Sequence, residues 1–117
     1  MLLALLLSAS LLAQTPQAPA AARAAQTLGL GGVTDTALRG ELAYVALERG
    51  GIAVIDLSTT PPRLLRQLEQ ERRFVRLVLT RDALLAVELR EQAHAFSLAA
   101  PETPQPTTLA RALAAPQ

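Results

Sequence analysis

Apolar positions in this chain come in short runs broken by polar turns. Residues 42–47 form one continuous run, which includes Tyr44 and Val45. Residues 52–55, including Ile52 and Val54, form a second run rich in β-branched side chains, the composition of a strand. Between them stands Glu48-Arg-Gly-Gly51, where Gly50 and Gly51 supply the positive φ that tight hairpin turns need. Residues 33–38 predict a preceding strand, ended by Arg39 and Gly40. Asp56, Ser58, Thr59 and Thr60 lead into Pro61-Pro62, which breaks any regular element. Residues 63–68 predict an outer strand. Strands apolar on both faces belong inside a stacked or covered sheet.

A weaker copy of this order follows after about 42 residues, a blade-sized period. Residues 75–80 fall on 33–38, Arg81-Asp82 on the turn at Arg39-Gly40, and residues 83–87 on 41–45. Dropping one residue from the hairpin brings residues 93–98 onto 52–57, and Pro101, Pro104 and Pro106 echo the Pro61-Pro62 loop. The fold class expected is all-β: two four-stranded propeller-type blades, a partial β-propeller, after an N-terminal signal peptide. A rival pattern overlaps it. Residues 63–100 contain no Gly and no Pro and are rich in helix formers, and Leu64, Leu68, Val75, Val78, Leu85 and Leu89 lie near a heptad stripe. Local propensity there argues for helix; self-similarity argues for strand.

The residues Ala43-Tyr-Val-Ala46, followed by Gly51-Ile-Ala-Val-Ile-Asp56 and Leu57-Ser58, resemble the LVIVD-repeat family of β-propellers. The second repeat is degenerate: Ser97 stands for the Asp, Ala86 for the Tyr, and the glycines are gone. The resemblance implies an exported bacterial repeat protein, mostly without known catalysis. The repeat-motif residues it marks are Tyr44, Gly50, Gly51, Ile52, Val54, Asp56 and Ser58.

Residues 2–12 are nearly unbroken Leu and Ala, too short for the roughly 20 residues of a membrane span and suited to the apolar core of a secretory leader. Cleavage is expected after Ala13 or Ala20. No Lys or Arg precedes the apolar run. The organisation expected is a leader over 1–20, an Ala/Pro/Gln-rich linker over 21–30, a first repeat over 31–70, a second over 71–110 and a tail over 111–117. Residues 14–26 read as a segment unable to build a core. Cysteine is absent from the 117 residues, so no disulfide framework, thiolate metal site or Cys nucleophile is available. The net charge of +1, mixed along the chain, gives no phosphate-binding stripe, and three aromatic residues give little for base stacking.

Few residues invite chemistry. His94 is the one histidine, and a metal site or nucleophilic triad wants several convergent groups; it reads as a half-exposed strand residue. Asp56 reads as an acceptor for backbone N–H groups of the turn that follows, with Ser58 helping. Tyr44 reads as core or blade-to-blade packing, Asp82 as a turn residue, and Glu69 to Arg73 as a solvated connection. Asp35 and Asp82 do not occupy equivalent repeat positions. Gly50-Gly51 lacks the Lys and helix start of a phosphate loop. No catalytic, cofactor or metal residue is expected, no nucleic-acid partner, and no membrane span once the leader is removed. The function expected is an exported (periplasmic or extracellular) non-catalytic interaction or scaffold module, binding a protein partner or itself through open blade faces. A truncated piece of a larger, possibly enzymatic, propeller and an exported helical adaptor are the alternatives.

Overall fold

The computed structural model describes residues 17–90 and 92–114. The chain is mostly β. An N-terminal helix α1 (Gln17–Thr27) is followed by β1 (Val33–Arg39), β2 (Leu42–Leu47), β3 (Ile52–Asp56) and β4 (Arg63–Leu68), then β5 (Phe74–Leu79), β6 (Ala83–Glu88), β7 (Ala93–Ser97) and β8 (Gln105–Thr107), and a short helix α2 (Leu109–Ala114). The strands form two four-stranded antiparallel meanders, β1-β2-β3-β4 (sheet 1) and β5-β6-β7-β8 (sheet 2).

The two sheets repeat one another with an offset of 41 residues through their first three strands, which begin at Val33 and Phe74, Leu42 and Ala83, Ile52 and Ala93. The offset holds bond by bond. Leu47 N–H donates to Gly51 O as Glu88 does to Gln92; Glu48 donates to Gly32 O as Leu89 does to Arg73; Leu57 donates to Glu41 O as Leu98 does to Asp82. Even the bulge recurs, between Val33 and Asp35 in sheet 1 and between Phe74 and Arg76 in sheet 2. The expected period of about 42 is thereby corrected. The hairpins are equal in length, so no residue is dropped there; the extra residue sits in the β7–β8 connection. The correction matters because a one-residue slip moves every side chain to the opposite face. Tyr44 corresponds to Leu85, not to Ala86.

The sheets stack front to back. Tyr44, Ala46, Ile52 and Val54 on the front of sheet 1 share one core with Phe74, Leu77, Leu84, Ala86 and Phe96 on the back of sheet 2. Fully burying an apolar side chain of this size is worth about 1.5–3 kcal/mol, so this interface is the main stabilising contact of the molecule. The back of sheet 1 (Ala43, Val45, Ala53, Ile55) is covered by α1 through Ala21, Ala24 and Ala25. On the front of sheet 2, Ala83 and Ala95 pack against Ala112 of α2, with Leu85 partly buried beside them.

Several expectations give way. Residues 21–30 are not a linker: most of them belong to α1 and its cap. Ala has the highest helix propensity, Pro19 falls in the first turn where proline is tolerated, and the small Ala methyls let the helix sit close on the sheet. The helix ends in a Schellman motif, with Gly29 at φ 74°, Gly29 N–H on Gln26 O and Leu30 N–H on Ala25 O. The tail expected over 111–117 is, through Ala114, part of α2, whose Thr108 Oγ1 accepts from Arg111 N–H as an N-cap. The helical alternative over 63–100 is replaced by β4 to β7, because cross-strand pairing and burial override intrinsic propensity. The Pro-rich echo at 101–106 contains a strand: Pro106 pairs with Phe96 on edge strand β8. Proline is tolerated at an edge, where its missing N–H breaks no ladder bond. The leader expected over 1–20 lies outside the described residues as far as 16.

Candidate functional site

Tyr44, Gly50, Gly51, Ile52, Val54, Asp56 and Ser58 all fall in the β2–β3 hairpin and its exit, and they do three different things. Tyr44, Ile52 and Val54 are fully buried between the sheets. The Tyr44 hydroxyl donates to Pro101 O at 2.8 Å, tying sheet 1 to the β7–β8 connection. Burial pushes its phenol above the usual value, opposed by the nearby Arg39 cation. Gly50 (φ 116°) and Gly51 (φ 84°) form the turn, and the β4–β5 connection crosses directly over it. A Cβ on Gly50 would lie 2.6 Å from Gln70 O, and one on Gly51 2.8 Å from Leu68 O. Gly51 N–H donates to Arg72 O at 2.7 Å. Asp56 Oδ1 accepts from Ser58 N–H at 2.9 Å and from Ser58 Oγ at 2.6 Å. These bonds, the hydroxyl's first, hold the carboxyl below its usual range. Ser97 occupies the equivalent place in sheet 2, and its Oγ accepts from Ala99 N–H at 3.3 Å. The degenerate repeat thus keeps the turn while losing the charge.

The junction between the sheets is held by polar residues that sequence reasoning passed over. β1 lies against β5. Thr34 Oγ1 donates to Phe74 O at 2.7 Å, Asp35 Oδ2 accepts from Leu77 N–H at 2.7 Å, and Arg39 Nη2 donates to Thr80 O at 2.6 Å. The bulge in β1 turns Thr34 and Asp35 toward that neighbour. Their equivalents in sheet 2 are Val75, Arg76 and Thr80, so the clasp is made once. The signal in the sequence was the contrast of Thr34-Asp35 with Val75-Arg76, visible only once the offset of 41 is known.

His94 joins a chain of charges at the other end of sheet 2. Its Nε2 lies 2.9 Å from Glu88 Oε2; Glu88 Oε1 accepts from Arg72 Nη1 at 3.3 Å; Arg72 Nε donates to Glu69 Oε1 at 3.0 Å. The imidazole also meets the Phe74 ring edge-on, with centroids 5.6 Å apart. Glu88 is held below the ordinary carboxylate range, first by His94 and then by Arg72, while Arg72 is raised by its two carboxylate partners. The adjoining cleft, of about 230 Å³, is smaller than the roughly 300–1,000 Å³ of usual ligand pockets. Arg72 is shared between the carboxylates of Glu69 and Glu88, and no nucleophile stands beside the imidazole in the bonds it makes. The arrangement ties the β4–β5 connection to strands β6 and β7. Among the described residues no group of three or more His, Cys, Asp or Glu is placed to hold a metal ion, and no helix is long and apolar enough to cross a membrane.

The front of sheet 2 keeps exposed apolar side chains. Its equivalent in sheet 1 packs against sheet 2, whereas here, among the described residues, the row Val78–Leu85–Ala95 across β5, β6 and β7 has only α2 above part of it. Val78 is 42% exposed, and Leu109 and Leu113 of α2 are 36% and 62% exposed. Comparison with family models, with curated proteins and with solved structures finds no match to this chain.

Proposed function

We propose that this protein is an exported, non-catalytic interaction module built from two LVIVD-like propeller blades. The observation that supports it is the front of sheet 2: a blade-type stacking face, equivalent to one buried in sheet 1, that keeps exposed apolar side chains. Exposed apolar patches bounded by polar residues mark interaction surfaces. The repeated turn chemistry of Asp56-Ser58 and Ser97 agrees with blades of one origin. Export rests on the Leu-rich residues 2–12. Cleavage after Ala13 leaves α1 whole, whereas cleavage after Ala20 removes its first turn, so Gln14 is the expected mature N-terminus.

The reading is tested by expressing the chain with its own leader in a Gram-negative host. The expected product lies in the periplasm, begins at Gln14 by mass spectrometry, and is cross-linked in living cells to a protein through the front of sheet 2. A product retained in the cytoplasm with residues 1–13 attached would sink the export part; one that makes no cross-link from that face would sink the interaction part. The larger-propeller reading draws on the same equivalence of faces, but α1 already occupies the back of sheet 1, where a preceding blade would stack.

A further inference from the structure

We infer that α2 is a displaceable strap with two homes: as a helix it covers part of the front of sheet 2, and once released it extends β8 along the free edge of β7 and uncovers that face. The inference rests on reading that face as the interaction surface.

The second home is drawn by the other sheet. In sheet 1 the outer strand follows β3 back to its first residue, through the pairs Val54↔Arg66, Ala53↔Gln67 and Ile52↔Leu68. In sheet 2 the ladder stops at Ala95↔Thr107, which stands 41 residues after Val54↔Arg66. The next rungs would be His94↔Thr108 and Ala93↔Leu109, so Leu109 falls on Leu68, a leucine in both sheets. Instead the chain leaves the sheet at Thr108 and winds into α2. The place it vacates is the cleft of about 230 Å³, whose lining includes Ala93, His94, Thr107 and Leu109. Its backbone edge is open. Glu88 N–H donates to Gln92 O, so by the alternation of an antiparallel ladder Gln92, His94 and Phe96 turn their backbone groups to β6, while Ala93, Ala95 and Ser97 turn theirs outward. Ala95 and Ser97 meet Thr107 and Gln105; among the described residues nothing meets the N–H and C=O of Ala93.

The first home is lightly held. α2 has 6 residues, fewer than an isolated helix needs. Of its described side chains only Ala112 is buried, over Ala83 and Ala95, while Leu109 (36%) and Leu113 (62%) stay exposed. α1, by contrast, seals sheet 1 with Ala21, Ala24 and Ala25. Thr108 is the N-cap of α2, so pairing it with His94 dissolves the helix, and the two homes exclude each other. Leaving gives up the Ala112 contact and the cap; arriving gains two backbone bonds to Ala93 and a seat for Leu109 like that of Leu68. Opposed terms of this kind keep the two homes close in free energy. A partner that takes the front of sheet 2 displaces Ala112, and the strand home makes that displacement easier.

The chain has no cysteine, so Ala112→Cys places a single thiol under the strap, and its modification by a soluble thiol reagent reports release. Modification is expected to run about tenfold or more faster than unfolding of the same variant, followed by circular dichroism, allows. Two prolines separate a strap from a fraying helix. Leu109→Pro is tolerated at the first helical position but removes the N–H that would bond Ala93 O. Ala93→Pro, at the first residue of β7, removes the N–H that would bond Leu109 O and touches no helix bond. Each is expected to slow modification about threefold or more, the weight of one net backbone bond. Native hydrogen exchange of the unaltered chain is expected to show residues 109–114 opening before the rest of sheet 2. Modification or exchange of this segment only through global unfolding overturns the inference. So does modification indifferent to Ala93→Pro, which marks a helix that frays without a second home. A strap that behaves as expected, on a chain that makes no cross-link from the front of sheet 2, leaves the device standing and sinks the interaction reading.

Discussion

Gly50 and Gly51 carry two constraints at once. Each has a φ that L-residues rarely adopt, and each lies where the β4–β5 connection passes too close for a Cβ. Gly51→Ala is therefore expected to destabilise the protein by about 3 kcal/mol, from backbone strain plus displacement of the Leu68–Gln70 backbone; urea denaturation with an unchanged m-value measures it. Asp56 and Glu88 are expected to contribute acid sensitivity. Both carboxyl groups are held below their ordinary values, so both bind protons less readily folded than unfolded. Their contribution is complete above the unfolded-state values and is lost as the pH falls through the folded ones. The Asp56→Asn, Glu88→Gln double variant is expected to flatten the decline of melting temperature between pH 5 and pH 2, roughly the carboxylate range, relative to the parent. The turn role of the glycines and of Asp56 was legible in residues 48–58, because turn chemistry is local. The chain overhead was not, since nothing in those residues says what crosses them.

Helix α1 shows how an element gains its role from its partner. Isolated helices of this length are marginal in water, and residues 17–27 have no acidic first turn and no basic last turn to help. What holds α1 is the apolar back of sheet 1 beneath Ala21, Ala24 and Ala25, together with the Gly29 cap. Alanines spaced this way look like linker composition until a surface is supplied. Ala25→Glu buries a carboxylate with no partner and is expected to cost about 2 kcal/mol; if the helix instead lifts away, the helical signal in circular dichroism falls and the back of sheet 1 becomes accessible to hydrophobic dyes. The helical look of residues 63–100 is the opposite case. There the Leu, Ala, Arg and Glu content favours helix by small increments per residue, and the pairing of β4 to β7 outweighs them.

The whole molecule depends on a junction that is apolar in its middle and polar at its edge. Tyr44, Phe74 and Phe96 supply the area, while Thr34, Asp35 and Arg39 set how β5 lies against β1. Asp35→Ala removes a carboxylate that accepts from Leu77 N–H, and is expected to lower stability by about 2 kcal/mol, since bonds to charged acceptors contribute about 1.5–3 kcal/mol. Thermal unfolding followed both by Tyr44 absorbance and by far-UV circular dichroism gives coincident transitions if the sheets unfold as one unit. Transitions that separate would assign the two sheets independent stability.

The sequence by itself determined the strands β1 to β3, the Gly-Gly hairpin and the Asp56-Ser58 exit turn, because each is written in a local period or in a turn residue of special geometry; over residues 63–100 its self-similarity argued for strand and its local propensity for helix, and cross-strand pairing decided for β4 to β7. The tertiary structure decided the offset of 41, the faces on which Tyr44 and Leu85 lie, the clasp at Asp35, and the use of Ala-rich residues 17–27 and 109–114 as covers for the outer faces. These are long-range matters. Which face of a strand is buried, and whether an alanine helix or a second sheet covers it, depends on what the rest of the chain brings to that surface. A side chain such as Asp35 shows its purpose only when the backbone it holds arrives from some 42 residues away.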